Sequence, residues 1–278
     1  MPIHQIVAHQ KPMSKTYLEN DASYAKKLAE IKRVCRSYKK WNKCFGIGFN
    51  KTGTSSLNAV MTEILGFLSN QTRIEINSTV QAISGNYLPL QKEISLVDFH
   101  QDLPASQGNT YVALDALFPN SKFILTVREA EEWFRSFIHQ YRIPLLDLAT
   151  DSIRIQQAHI YKGYSHRWIG HFMEDQINVL KKSIKAHNLQ SLDDYKKFEF
   201  TDEFKDSCIQ LYKLRNREIR KYFKERDDML LILDITKEQT VENIRDFLGI
   251  PDIFNASMPH LNSANNSNND IIRHLKIN

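Results

Sequence analysis

The order of apolar patterns along the chain predicts an α/β domain. A short buried strand at 44–49 feeds through a tight turn into an apolar helix. A strand, a helix and a second strand follow between 93 and 128 with short connections, and a fully apolar strand at 230–233 precedes a helix that closes on Gly249. Strand, helix and strand joined by short links are the sequence form of a parallel crossover.

Within residues 26–43, lysine and arginine fall between apolar positions set at helical spacing (Leu28, Ile31, Val34, Cys35), continuing from Tyr24. This is the pattern of a surface helix with a solvated basic face. Next comes Cys44-Phe45-Gly46-Ile47-Gly48-Phe49-Asn50-Lys51-Thr52-Gly53-Thr54-Ser55-Ser56-Leu57. Phe45, Ile47 and Phe49 alternate with small residues; Leu57, Val60, Met61, Ile64 and Leu65 continue at helical spacing. Thr54, Ser55 and Ser56 stand where a helix leaves its first N–H groups without partners, with Lys51 and Gly53 in the turn. Capping alone accounts for a serine there, and backbone relief for a glycine. Taken together, backbone donors, hydroxyls, a lysine and a positive helix end at one point suit a phosphate group.

The loop is not a Walker A motif, which places lysine directly after a glycine, since here the order is Lys51-Thr52-Gly53. It is not the dinucleotide fingerprint either, because Lys51 stands where the third glycine belongs. Lys51 to Leu57, with Asn50 before it, instead resembles the 5′-phosphosulfate loop of sulfotransferases that use 3′-phosphoadenosine 5′-phosphosulfate (PAPS). A second stretch, Lys122-Phe123-Ile124-Leu125-Thr126-Val127-Arg128, ends a β-rich run in arginine. An acidic helix start follows, with Ser136 eight residues after Arg128. That resembles the same family's 3′-phosphate motif, whose arginine and serine grip the nucleotide's 3′-phosphate. Singly, such an arginine is most often a surface ion pair and such a serine a solvated helix residue. Two anion motifs in the right order carry the resemblance.

Between them, residues 66–91 give no clear pattern beyond a candidate helix at 75–84. Residues 93–99 read as a strand followed by His100-Gln101-Asp102-Leu103-Pro104. The family's strand here ends in His-Leu-Pro with histidine as general base, or carries an Asp-x-Pro element. Asp102 therefore resembles that base, with His100 as rival, two residues away and on the same face if the strand persists. Bracing of a turn is the alternative role for Asp102. An ordinary aspartate, with pKa near ~3.9, is a feeble base unless burial raises it.

Residues 111–118 read as a helix, and 129–192 as mainly helical, broken near Pro144. That insert contains Tyr161, Tyr164, Trp168 and Phe172 at helical spacing, together with the weaker base candidates His166 and His171. A long charged helix follows at 202–226, then the strand at 230–233 and a helix at 239–248. The succession through Pro259-His260-Leu261-Asn262 also resembles family C-termini, without their usual Arg-Lys-Gly contact. Asn262 or Ser263 is the candidate 3′-phosphate ligand there, in an Asn/Ser-rich flexible segment at 262–269.

The 278 residues show no linker or repeat, so one domain spanning 1–278 is expected. It comprises a basic helical extension at 1–42, a nucleotide- and acceptor-binding core at 43–262 and a flexible tail at 263–278. Three sparse cysteines without metal-site spacing, no apolar run of about 18 residues and no signal-like start at 1–11 point to a cytoplasmic protein with reduced thiols and no membrane partner. A net charge of +5 suits an anionic ligand, and no nucleic-acid motif accompanies it. A homodimer is left open.

The resemblance implies a doubly wound α/β fold, a central parallel sheet flanked by helices in the P-loop-like sulfotransferase architecture. It implies transfer of the sulfuryl group from PAPS to a hydroxyl or to an amine or guanidinium nitrogen of a small-molecule acceptor, leaving adenosine 3′,5′-bisphosphate. Asn50, Lys51, Thr52, Gly53, Thr54, Ser55 and Ser56 would hold the 5′-phosphate, and Arg128, Ser136 and Asn262 the 3′-phosphate. Lys51 would stabilise the leaving group and Asp102 or His100 take the acceptor's proton; no metal is expected. A small-molecule kinase using ATP and a non-catalytic nucleotide-binding protein are the alternatives.

Overall fold

Four short parallel strands form the central sheet: β1 (Cys44–Gly46), β2 (Phe99–Gln101), β3 (Lys122–Thr126) and β4 (Leu230–Leu233), in spatial order β2-β1-β3-β4. The computed structural model describes residues 22–69, 85–102, 104–106, 108–150, 178–185, 187, 189, 192–237, 241–252, 255–256 and 275–276. The candidate helix at 75–84, the aromatic run from Tyr161 to Phe172, His166, His171, Asn262 and Ser263 lie outside the described residues.

Helix α1 (Ala22–Ser37) precedes β1; α2 (Thr54–Ala59) follows it and runs on through a π-helical turn, Val60–Ile64. Then come α3 (Leu88–Ser95), β2, α4 (Thr110–Leu117), β3 and α5 (Ala130–Thr150). Residues 178–184 are helical, followed by α6 (Leu192–Lys197), α7 (Asp202–Tyr222), β4 and α8 (Val241–Phe247). Asn255–Ala256 and Leu275–Lys276 pair as a small antiparallel ladder, β5 with β6.

Alternation along the strands divides the core into two faces. Phe45, Ile47, Phe123 and Leu125 bury against Leu90 and Ile94 of α3, Leu114 of α4, and Ile219 of α7 with Phe223 just after it. Cys44, Phe99, Ile124 and Leu233 bury on the other face against Ile31 and Cys35 of α1, Leu57 and Met61 of the α2 segment, and Ile244 of α8. Strands covered on both faces read as continuous apolar runs, which is why Leu230–Leu233 shows no polar residue. A third cluster joins α5, α6 and α7 around Trp133, Phe137, Phe204 and Tyr212, and takes in Phe49 from beyond β1. All three cysteines are buried and unbridged.

Two elements differ from the sequence expectation. The strand expected at 93–99 is largely helix α3, with the strand proper confined to Phe99–Gln101. Pro89 sits in the helix's first turn, where its missing N–H costs nothing, and Leu90 and Ile94 bury one turn apart while Leu96 stays exposed. The expected break near Pro144 is also absent, since α5 continues to Thr150. Phe137, Ile138, Leu145 and Leu146 are buried on either side of that proline, and this packing outweighs the backbone hydrogen bond that proline cannot make.

Candidate active site

The loop after β1 is held from within. A side chain at Gly48 is impossible, because its Cβ would lie 2.0 Å from Thr126 Oγ1 and 2.6 Å from the Thr126 carbonyl oxygen. Thr52 donates its hydroxyl to the Phe49 carbonyl at 2.5 Å, and its oxygen lies 2.6 Å from Thr126 Oγ1. Thr52 is therefore fully buried and its hydroxyl committed inside the loop. Asn50 accepts at its carbonyl from Trp133 Nε1 (3.0 Å) and donates its amide to the Tyr141 hydroxyl (3.0 Å), which ties the loop to α5. Gly53, at φ +96°, leads into α2, whose first turn has no side-chain cap. Thr54 and Ser56 are buried and Ser55 half-buried. An uncapped helix start facing a loop lysine is a site for an anion.

Three non-glycine residues among those described adopt left-handed backbone: Lys51 (φ +71°), Asp102 (φ +57°) and Asn120 (φ +62°). Asparagine and aspartate tolerate that conformation in a turn; lysine there signals backbone held against its preference. At Asp102 the left-handed turn ends β2, so the two-residue relation to His100 expected of a continuing strand does not hold. The Asp102 carbonyl accepts from Ser106 N–H at 2.7 Å. His100 is 1 % exposed and stands edge-on to Phe45 with ring centroids 6.4 Å apart.

Electrostatics ties the three segments together. Burial pushes the Asp102 carboxyl up to about 6, and the Lys51 ammonium draws it back down. Burial likewise lowers Lys51; the Arg128 guanidinium lowers it further and Asp102 opposes both. Burial also raises the Tyr141 phenol, with the Asp102 charge adding to the effect. Lys51 thus senses the charges of both Asp102 and Arg128 beyond the carboxyl ends of β1, β2 and β3, and Tyr141 of α5 senses that of Asp102. The chain passes from β1 to β2 on one side and then crosses to β3 on the other, and this switch point is where open α/β sheets place their ligands.

Arg128 follows β3, its guanidinium 3.4 Å from Glu132 one turn into α5. Glu129 caps that helix by accepting from Glu132 N–H at 2.9 Å. Glu132 and Ser136 are four residues apart and share one stripe of α5, which begins two residues after Arg128.

A family model for the sulfotransferase domain matches residues 43–267. The chain belongs to the sulfotransferase family. No curated protein matches it significantly. In this sulfotransferase no helix among the described residues is long and apolar enough to cross a membrane, and no group of three or more His, Cys, Asp or Glu there is placed to hold a metal ion.

Further residues that the sequence did not single out contact the loops of the candidate site. Tyr212 and Arg215 lie on α7, which read only as a long charged helix, and Tyr141 lies on α5 among many aromatics. Helical spacing shows which face each takes but not that the face turns toward a loop far away in the chain. Thr126 carried a faint signal as a hydroxyl closing an apolar strand.

Proposed function

We propose that this sulfotransferase moves the sulfuryl group of PAPS to a hydroxyl, amine or guanidinium of a small-molecule acceptor. The observation that supports the reading best is the meeting of Lys51, Asp102 and Arg128 at the ends of three adjacent parallel strands. One lysine there has a cation on one side and a carboxylate on the other.

The first-turn N–H groups of α2, with Ser55 and Ser56, would hold the 5′-phosphate, while Thr52 shapes the loop through its hydroxyl. Arg128 and Ser136 would hold the 3′-phosphate. Lys51 would neutralise charge on the bridging oxygen as its bond to sulfur breaks, an interaction that strengthens mainly in the transition state. The acceptor's oxygen or nitrogen forms the new bond to sulfur. Adenosine 3′,5′-bisphosphate leaves with the bridging oxygen, and the acceptor's proton passes to Asp102. A carboxyl near 6 is a better base than an ordinary aspartate, and at pH 7 it is still mostly ionised and able to accept. The same carboxylate beside the Tyr141 hydroxyl would favour a cationic acceptor through charge-assisted hydrogen bonds.

Thermal shift with adenosine 3′,5′-bisphosphate against Mg·ATP tests the donor, and labelled PAPS with an acceptor panel tests transfer. Stabilisation by Mg·ATP alone would favour the kinase. Stabilisation by the bisphosphate without transfer to any acceptor would favour a nucleotide-binding protein.

A further inference from the structure

Arg215 is 4 % exposed, at the centre of α7. Its guanidinium donates to three backbone carbonyls: Ile47 through Nη1 (2.7 Å), Gly108 through Nε (3.1 Å) and Ala105 through Nη2 (3.4 Å). It also lies over the Phe49 ring, 5.1 Å from the centroid. Among the described residues no carboxylate forms an ion pair with it. Burial lowers its pKa to about 10, so it stays charged at neutral pH, where the neighbouring phenols of Tyr111 and Tyr212, themselves raised by burial, are uncharged.

Among the described residues neutral dipoles alone match this buried cation, an unusual thing for a fold to keep, because desolvation opposes it and no opposite charge among them compensates. The location supplies the reason. Ile47 and Phe49 lead directly into Lys51, while Ala105 lies within the Asp102–Ser106 turn and Gly108 just beyond it. Arg215 therefore lies beneath both loops of the candidate site, shielded from solvent, where charges act over longer distances than in water.

We propose that Arg215 is an electrostatic partner of the bound nucleotide, a buried positive charge that is balanced only when an anionic donor occupies the loops above it. This rests on the donor reading given under Proposed function. Arg215 touches backbone rather than ligand, so its effect acts through space and depends on its charge more than on its particular hydrogen bonds.

The charge and the hydrogen bonds separate in two variants. Arg215→Lys keeps the charge and loses the fork; Arg215→Gln keeps amide donors and loses the charge. Binding of adenosine 3′,5′-bisphosphate is measured by calorimetry at two salt concentrations, with unliganded melting temperature as the control for folding. The expected result is wild-type affinity within about threefold for Arg215→Lys and a loss of roughly tenfold or more for Arg215→Gln. Without ligand, Arg215→Gln should melt no lower than Arg215→Lys, because both lose the fork and only Arg215→Gln also loses the uncompensated charge. Equal losses in both variants, no loss in either, or failure of both to fold would make Arg215 a fold anchor and overturn the proposal. Absence of bisphosphate binding by the wild-type protein would instead overturn the donor reading itself.

Discussion

The Tyr212 hydroxyl holds both backbone groups of Arg128: it donates to the carbonyl oxygen and accepts from the N–H, each at 2.9 Å. The Tyr212 ring stacks on Trp133 with centroids 4.4 Å apart and planes 10° from parallel, and the Trp133 indole in turn donates to Asn50. One helix, α7, thus fixes Arg128 through Tyr212, while its Arg215 reaches the backbone at Ile47, Ala105 and Gly108 beneath the other two loops.

Tyr212→Phe keeps the stacked ring and strips both partners from the Arg128 backbone. Stability should fall by about 1–3 kcal/mol, the cost of leaving buried polar groups unpaired. Affinity for adenosine 3′,5′-bisphosphate should fall several-fold more than affinity for 5′-AMP, because the disturbed group is Arg128. Urea unfolding and calorimetry of the one variant check both expectations; equal weakening toward the two nucleotides would count against the assigned role of Arg128.

Gly48→Ala puts a methyl group into the Thr126 hydroxyl and carbonyl. Neither atom belongs to the far end of a flexible side chain, so β1 and β3 would have to separate at the loop. A destabilisation of about 3 kcal/mol or more is expected, at the upper end for overpacking. A soluble Gly48→Ala protein with an unchanged melting temperature would show that the strand ends are less closely packed than described.

Asp102 has a folded pKa of about 6 against an ordinary 3.8. Between those values the native state keeps a proton that the unfolded chain has released, so its contribution to stability falls as pH rises from 3.8 to about 6 and is constant above. Asp102→Asn should therefore be more stable than wild type at pH 7.5, by on the order of 1–3 kcal/mol, with the gap closing below pH 4. Urea midpoints at the two pH values measure it. Transfer should be nearly abolished in this variant with nucleotide binding intact, and wild-type turnover should rise with pH through about 6. A stability gap that is the same at both pH values would show that the carboxyl is not titrating as described.

Lys51→Gly removes a side chain from a left-handed residue at φ +71°. Relief of that backbone should raise stability by roughly 1 kcal/mol, which Lys51→Ala should not do. Both variants should lose turnover by about 100-fold or more while nucleotide affinity changes far less. A Lys51→Gly protein less stable than Lys51→Ala would show that the backbone there is not strained.

Much of this molecule is legible in its sequence for physical reasons. The β1 loop shows because lysine, glycine and hydroxyls must cluster within a few residues to make an anion site, and β3 shows because a strand buried on both faces has to be apolar. Strand β2 is too short to alternate visibly, and the apolar spacing before it served helix α3 instead. The left-handed turn at Asp102 and the buried charge of Arg215 are hidden for another reason. Arg215 is buried by contacts with segments 100 or more residues away, as in its bond to Ala105, which also ties down the turn after Asp102, and local pattern carries no trace of them.

The claim that the two anion sites belong to one nucleotide is tested most directly by comparing adenosine 3′,5′-bisphosphate with 5′-AMP in calorimetric titrations of the wild-type protein and of Arg128→Ala. The expected result is a bisphosphate preference of about tenfold or more in the wild type, the worth of a charge-assisted phosphate contact, and its collapse to near unity in Arg128→Ala. Equal binding of the two nucleotides by the wild type, or a preference that survives Arg128→Ala, would contradict it.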